Sequence, residues 1–297
     1  MDLIVEAPRV AGPGETVEGT RFYTTPGGKG GNQAIAAARA LGEPVQVEMI
    51  ARVGDDPYGE QLRRYLADDG VANRFVRVDP SATTGVAVVL IDGTGQNYVN
   101  AVYGANASCD AKQVADVAEV LREGDILLVQ QEIPLPVTMD AMRLARERNA
   151  TVILDPAPAR TLPAGFLSLV DIITPNSVEA HALTGIEVTN LDSAAHAARA
   201  VHALGVRTVL LTLGEDGVYV YGGGLDNHYP AFRVTAVATV AAGDAFNGAL
   251  AAGLSNGMEL RDAIRLAQAA AAISVTRPGA QESMPLRAEI DPLAARD

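Results

Sequence analysis

Ala241-Ala242-Gly243-Asp244-Ala245-Phe246-Asn247-Gly248-Ala249-Leu250 runs from small residues through an acidic one into an alanine-rich helical pattern. A helix that starts here aims its unpaired backbone N–H groups, and the positive end of its dipole, at one point. Such a point suits a phosphate in transfer. Asp244, beside it, can accept a proton from an attacking hydroxyl. An anion hole and a base within a few residues indicate phosphoryl transfer to an alcohol. Taken alone, the same aspartate is an ordinary N-cap, so the rest of the chain has to decide.

Upstream of this helix the chain alternates. Val45–Ile50, Ile126–Gln130, Thr151–Asp155, Ile172–Thr174 and Thr208–Thr212 are short apolar runs of strand type. Between them lie helical patterns at about Gly31–Leu41, Gly59–Asp69, Ala111–Leu121, Val137–Arg148, Ser177–Leu183 and Ala194–Leu204, and Leu260–Thr276 is the last long helix. Strands alternating with helices predict βαβ units and a mostly parallel sheet. Thr16–Thr24 and Gly85–Tyr103 break the rhythm, and the second, with its turn Asp92-Gly93-Thr94-Gly95, reads as a β-hairpin. Hairpins set into an α/β domain predict a small sheet that covers a site.

Composition narrows the partners. The 297 residues carry a net charge of −13, 48% hydrophobic and 4% aromatic residues, and no Trp. That disfavours a bare polyanion such as DNA or RNA, but a nucleotide needs only local N–H groups and a metal. One cysteine, Cys109, rules out an internal disulfide and fits a reducing cytosol. The opening Met1-Asp2-Leu3-Ile4-Val5-Glu6 has no basic region or long apolar core of signal type. No run reaches the ~18 apolar residues of a membrane span. The expectation is a cytoplasmic protein with no membrane partner.

In an open α/β sheet, ligands gather beyond the carboxyl ends of the strands. Here those ends read Gln130-Gln131-Glu132, Asp155-Pro156-Ala157-Pro158, Thr174-Pro175-Asn176 and Thr212-Leu213-Gly214. Asn176 and Glu179 stand three apart at a helix start, so both can face one way. They suit hydrated Mg²⁺ on a nucleotide; standing alone they read first as a cap with a first-turn Glu. Pro26-Gly27-Gly28-Lys29-Gly30-Gly31-Asn32-Gln33 lets backbone approach a small polar ligand, with Lys29 and Asn32 as donors to hydroxyls; a plain turn before a helix is the alternative. It is not a Walker A loop, because Gly30 follows Lys29 where Ser or Thr is required. His181, His196, His202 and His228 do not cluster in the sequence.

From Asp2 to about Pro285 the chain resembles the ribokinase-like carbohydrate kinases. The Gly-Gly-Lys-Gly-x-Asn-Gln run at 27–33 and the Ala-Ala-Gly-Asp-x-Phe-Asn-Gly run at 241–248 resemble the family's two signatures, and Asp155–Ala159 and Asn176–Glu179 match further family positions. The resemblance implies a single three-layer αβα domain over 1–297 with a mostly parallel central sheet. Residues 1–26 and 84–104 would form a β lid that pairs two subunits. It implies ATP as co-substrate with Mg²⁺, and D-ribose phosphorylated at its 5-hydroxyl. A kinase of another pentose or a nucleoside is the alternative on the same fold. A catalytically weak sugar-binding or regulatory protein is the alternative of another class.

Residue by residue, Asp244 corresponds to the base, and Ala241, Ala242, Gly243 and Asp244 to the anion hole. Asp2, Gly28, Lys29, Asn32 and Glu132, with Asp244, correspond to sugar-binding positions. Asn176, Thr212, Gly214, Gly217, Gly243 and Gln268 correspond to the nucleotide side, with Glu179 on Mg²⁺ through water. Two departures stand out. The family's opening strand ends in Asn-x-Asp, and Met1-Asp2 matches only its last two positions, so the first strand is missing. The expectation is that the reading frame continues upstream with a short apolar strand ending in Asn. Ala238 also replaces an Asp that helps hold a monovalent cation, whereas Val240, Ser274, Arg277, Gly279 and Ser283 still match that site. Weakened K⁺ activation is expected.

Overall fold

Residues 1–42 and 46–296 are described by a computed structural model. In chain order the elements are β1 (Asp2–Glu6), β2 (Arg21–Thr25), α1 (Lys29–Ala40), β3 (Glu48–Gly54), α2 (Pro57–Asp68), β4 (Ala72–Asp79), β5 (Val86–Ile91), β6 (Asn97–Val102), α3 (Ala111–Val120), β7 (Ile126–Val129) and α4 (Leu135–Glu147). They continue as β8 (Thr151–Leu154), β9 (Ile172–Ile173), α5 (Ser177–Thr184), α6 (Leu191–Ala203), β10 (Thr208–Thr212), β11 (Val218–Gly222), β12 (Leu225–Tyr229), α7 (Ala242–Ser255), α8 (Leu260–Ser274) and α9 (Arg287–Ala294).

The central sheet runs β12-β11-β10-β9-β8-β7. It is parallel from β7 to β10 and antiparallel over β11 and β12. Its inner parallel strands β8 to β10 are buried on both faces, as parallel strands must be. Val152 and Leu154 of β8 and Val209 and Leu211 of β10 enter one core with α4 and α6. The alternate residues Ile153 and Leu210 enter the other with α7 and α8. This period of two puts a helical layer on each side, giving the αβα arrangement.

A second sheet, β2-β1-β5-β6, pairs β1 antiparallel with β2 and parallel with β5. By register, Asp2, Ile4, Val89 and Ala101 share one face, and Val5, Phe22, Leu90 and Tyr98 share the other. β3 and β4 form a separate parallel pair. Among the described residues β3 pairs only with β4, and β7 only with β8. A cavity of about 450 Å³, lined by Ile50 and Val53 of β3, Leu128 of β7, Val117 and Ala251, lies between their free edges, with Met1 at one end.

Several elements were not legible beforehand. The run Val45–Ile50 becomes a strand that starts at Glu48 and continues to Gly54, and Val45 lies outside the described residues. β4 is masked by its arginines, one of which pairs with buried Asp116. β12 (Leu-Asp-Asn-His-Tyr) is polar because it is the sheet's edge. No helix among the described residues is long and apolar enough to cross a membrane.

Candidate active site

The first turn of α7 is the centre of the site. Ala241 precedes it with φ 60°, a left-handed backbone that costs a non-glycine residue roughly 1–2 kcal/mol. Backbone strain of this kind persists only where its surroundings impose it. No side chain caps α7 among the described residues, and a Cβ built on Gly243 would meet nothing within 4 Å. The Ala242 N–H donates to the Thr239 carbonyl (3.4 Å), and none of the described hydrogen bonds takes the Gly243 or Asp244 N–H. Asn247, one turn on, donates to the Gly243 carbonyl (2.9 Å) and accepts from Thr174 Oγ1 (2.7 Å), which ties the turn to the end of β9.

Asp244 is buried, and both carboxylate oxygens are held by α1. Asn32 Nδ2 donates to Oδ2 (2.9 Å) and Gln33 Nε2 donates to Oδ1 (2.8 Å). Gly248 makes this possible. A Cβ there would lie 2.5 Å from Ala36 Cβ and 2.6 Å from the Gln33 carbonyl, so α1 and α7 approach as closely as they do only because that position has no side chain.

Around α1 the charges converge. Gly28 caps the helix with φ 91°, and the Lys29 N–H donates to Glu132 Oε2 (2.9 Å). Asp2 packs on Gly27, where a Cβ would come within 2.4 Å of its carboxylate. Burial raises the pKa of both Asp2 and Glu132 above the usual carboxylate range. Burial pulls on Lys29 in the neutral direction, yet Asp155, Asp244, Glu132 and Glu179 together hold its pKa up at about 12, so it stays an ammonium. Asp155 ends β8 with Oδ2 3.6 Å from Lys29 Nζ, and burial, reinforced by Asp244 and Glu179, pushes its pKa up to about 7.

On the far side, Asn176 and Glu179 cap each other. Asn176 Oδ1 accepts from the Glu179 N–H (2.9 Å), and Glu179 Oε2 accepts from the Asn176 N–H (2.8 Å). The capping arrangement leaves Glu179 Oε1 for another partner, while burial raises its pKa. Asn176 bridges to Thr212 at the end of β10, and Gly214 (φ 60°) and Gly217 (φ 96°) shape the loop that follows. Gln268 Nε2 donates to the carbonyls of Tyr229 and Pro230, the segment against which Gly217 packs.

The loop after α8 is self-contained. Ser274 and Ser283 hydroxyls bond to each other (2.8 Å), Arg277 pairs with Glu289 (2.6 Å), and Gly279 takes φ 89°. The Val237 and Ala238 N–H groups both donate to the Val275 carbonyl, and Val240 is half-exposed. Among the described residues no group of three or more His, Cys, Asp or Glu is arranged to hold a metal.

Gln33, Gln130, Asp155, Thr174 and Asn247 had no assigned role in the sequence. Gln33 and Asn247 lie inside the two glycine-rich runs and Asp155 and Thr174 at strand ends, so their positions were visible. Their bonds to residues 73 to 211 positions away were not.

The three-layer α/β fold thus sets a buried carboxylate, Asp244, in the first turn of a helix. The pfkB family carbohydrate kinase model matches residues 1–287. A ribokinase of Haemophilus influenzae is 39% identical over 288 residues, 97% of this chain and 93% of that protein. A deoxyribokinase of Salmonella typhi is 33% identical over 286 residues, 96% and 92% of the two chains. The structure of Arabidopsis thaliana ribokinase complexed with ribose and ATP superposes with a TM-score of 0.90 at 31% identity, covering 100% of this chain and 96% of that one. The chain belongs to the pfkB family of carbohydrate kinases.

Proposed function

We propose that the protein phosphorylates D-ribose at its 5-hydroxyl with ATP, and that Asp244 is the general base. The observation that carries this is the clamped, buried carboxylate of Asp244 in the open first turn of α7. Asp2, Gly28, Lys29, Asn32 and Glu132 form the sugar side. The carboxylates accept from ring hydroxyls, and Lys29 and Asn32 donate to them. Each Asp244 oxygen has a second lone pair beyond its bond to α1, so the clamp leaves it able to take the 5-hydroxyl proton as the oxygen attacks. The N–H groups at 241–244 face the charge that spreads over the phosphoryl oxygens. Positioning and charge stabilisation carry the step, with no covalent intermediate.

Asn176, Thr212, Gly214, Gly217 and Gly243 form the nucleotide side, and Gln268 braces that side through β12. Glu179, with one oxygen committed to its cap, suits an outer-shell contact to hydrated Mg²⁺ on the nucleotide, whose role is to neutralise phosphate charge. The monovalent-cation positions fit less well. Ala238 brings no charge, the Ser283 hydroxyl donates to the Ala280 carbonyl while accepting from Ser274, and no step runs through that site. The four-stranded sheet is proposed as a lid, with Asp2 on its inner face. Its outer face exposes Phe22, Val88, Tyr98 and Val102, a surface suited to the same sheet of a second copy. The buried free thiol of Cys109 fits a cytoplasmic setting.

The deciding experiment is ADP release with ribose, deoxyribose, fructose and adenosine. Ribose is expected to show the highest kcat/KM, and Asp244→Asn to cut turnover by ~10²–10⁴ with ribose and ATP binding retained. Near-parental turnover in that variant refutes the assignment. A preference for deoxyribose favours the second reading, which the Salmonella typhi relative supports.

A further inference from the structure

Gln33 is the side chain that touches both buried carboxylates of the centre. Its Nε2 has two hydrogens and spends both, one on Asp155 Oδ2 (2.7 Å) and one on Asp244 Oδ1 (2.8 Å). Its Oε1 accepts from Gln130 Nε2 (2.5 Å), so the whole carboxamide is fixed. Gln33 is 0% exposed and Asp155 4%, so water does not substitute for these partners. Asp155 reaches Lys29 as well, 3.6 Å away, and thus sits between the sugar loop and the anion turn.

We infer that Asp155 is a positioning residue for phosphoryl transfer: acting through Gln33, it sets the direction in which Asp244 presents its carboxylate to the sugar hydroxyl. This rests on the reading of Asp244 as the base. Without an acceptor at 155, one N–H of Gln33 loses its partner and the amide is held by Gln130 and Asp244 alone. Asp244 keeps its bonds to Asn32 and Gln33, but the brace that fixes Gln33 from the side of β8 is gone, so the direction of the carboxylate is set less tightly. Of the proposed sugar contacts Lys29 also pairs with Asp155, whereas Asp2, Gly28 and Glu132 do not, so binding suffers less than the chemical step.

The test is ADP-release kinetics with thermal melts on Asp155→Ala, Asp155→Asn and Asp244→Asn. A misplacement of about 1 Å costs on the order of 10²-fold, so Asp155→Ala is expected to lose about that much kcat while ribose KM stays within about threefold. The thermal melts report its folded fraction, so the cost of the unpaired Gln33 N–H is separated from the loss of kcat. Asp155→Asn keeps an acceptor for Gln33 and should recover kcat to within about tenfold of the parent. Parental kcat in Asp155→Ala, beside an inactive Asp244→Asn, overturns the inference alone. A kcat loss in Asp155→Ala that only follows the folded fraction, or no recovery with Asn, overturns it too. An active Asp244→Asn removes the base assignment and this inference together.

Discussion

Replacing Gly248 by Ala should disable catalysis out of proportion to its effect on stability. The added Cβ would lie 2.5 Å from Ala36 Cβ, 2.6 Å from the Gln33 carbonyl oxygen and 2.7 Å from the Ala37 nitrogen. Two of these three atoms are backbone, so no side chain can turn away, and α1 must retreat. Carbon atoms settle at about 3.5–4.0 Å, which requires a shift of roughly 1 Å or more. Overpacking of this kind costs about 1–3 kcal/mol, but exchanging Gly for Ala inside a helix returns about 1 kcal/mol. The net loss is then roughly 0–2 kcal/mol, a fall in melting temperature of no more than about 8 °C for a chain this size. Activity has no such offset. Asn32 and Gln33 ride on α1 and hold Asp244 on α7, so a 1 Å retreat should lower kcat about 10²-fold. Gly253→Ala is the control: its Cβ would crowd Ala263 of α8 at 3.1 Å, away from α1. The assay pairs thermal melts with ADP release at saturating ribose and ATP. Parental kcat in Gly248→Ala, or an equal loss in Gly253→Ala, refutes the reasoning.

Three further outcomes are expected. The pKa of Asp155, raised from 3.8 to about 7, means that the folded chain keeps a proton the unfolded chain has released. Its contribution therefore lowers stability as pH rises from about 4 to about 7, by at most about 4 kcal/mol. Asp155→Asn should flatten that fall in urea melts at pH 5 and pH 8, and an unchanged profile would count against it. Ala238→Asp adds a carboxylate to the loop joined to Val275. It should shift half-maximal activation to lower KCl, measured against an inert salt of equal ionic strength; identical responses would remove residue 238 from cation binding. An extended segment of about six β-branched residues fused ahead of Met1 should enter the slot between β3 and β7 and raise the melting temperature, since each such side chain gains ~1.5–3 kcal/mol on burial. It would also replace the Met1 ammonium, whose pKa burial lowers, with a neutral amide. A Gly/Ser segment that stabilises equally would contradict this.

The alternation of parallel strands and helices was legible because β8 to β10 are buried on both faces and therefore apolar throughout. The edge strand β12 and the arginine-bearing β4 did not announce themselves, since their polar residues answer to solvent and to ion pairs. The two glycine-rich runs stood out for a physical reason now visible at Gly248 and Gly27, where a Cβ has no room. Asn176 and Glu179 supported two readings in the sequence, and their reciprocal cap still leaves one Glu179 oxygen uncommitted. Asp155 was legible as a strand-end residue on the ligand side, but not as a partner of the Asp244 clamp. Its meeting with Gln33, 122 positions away, is created only when β8 and α1 converge.

The break between β3 and β7 also bears on how the molecule comes apart. Cooperativity across a sheet is carried by its continuous ladder of backbone hydrogen bonds, and here the ladder is interrupted beside the proposed sugar end. The β3–β4 pair is joined to the remainder through α1, α2, α3 and the turn at 104–108, with Arg52 bonded to Asp110 and the Gly54 N–H to Thr84, and without a sheet ladder. Such a unit opens at lower free energy than the whole fold. Its amides should then exchange with solvent before those of β8 to β10, so local melting would begin at the acceptor pocket while the nucleotide half stays folded.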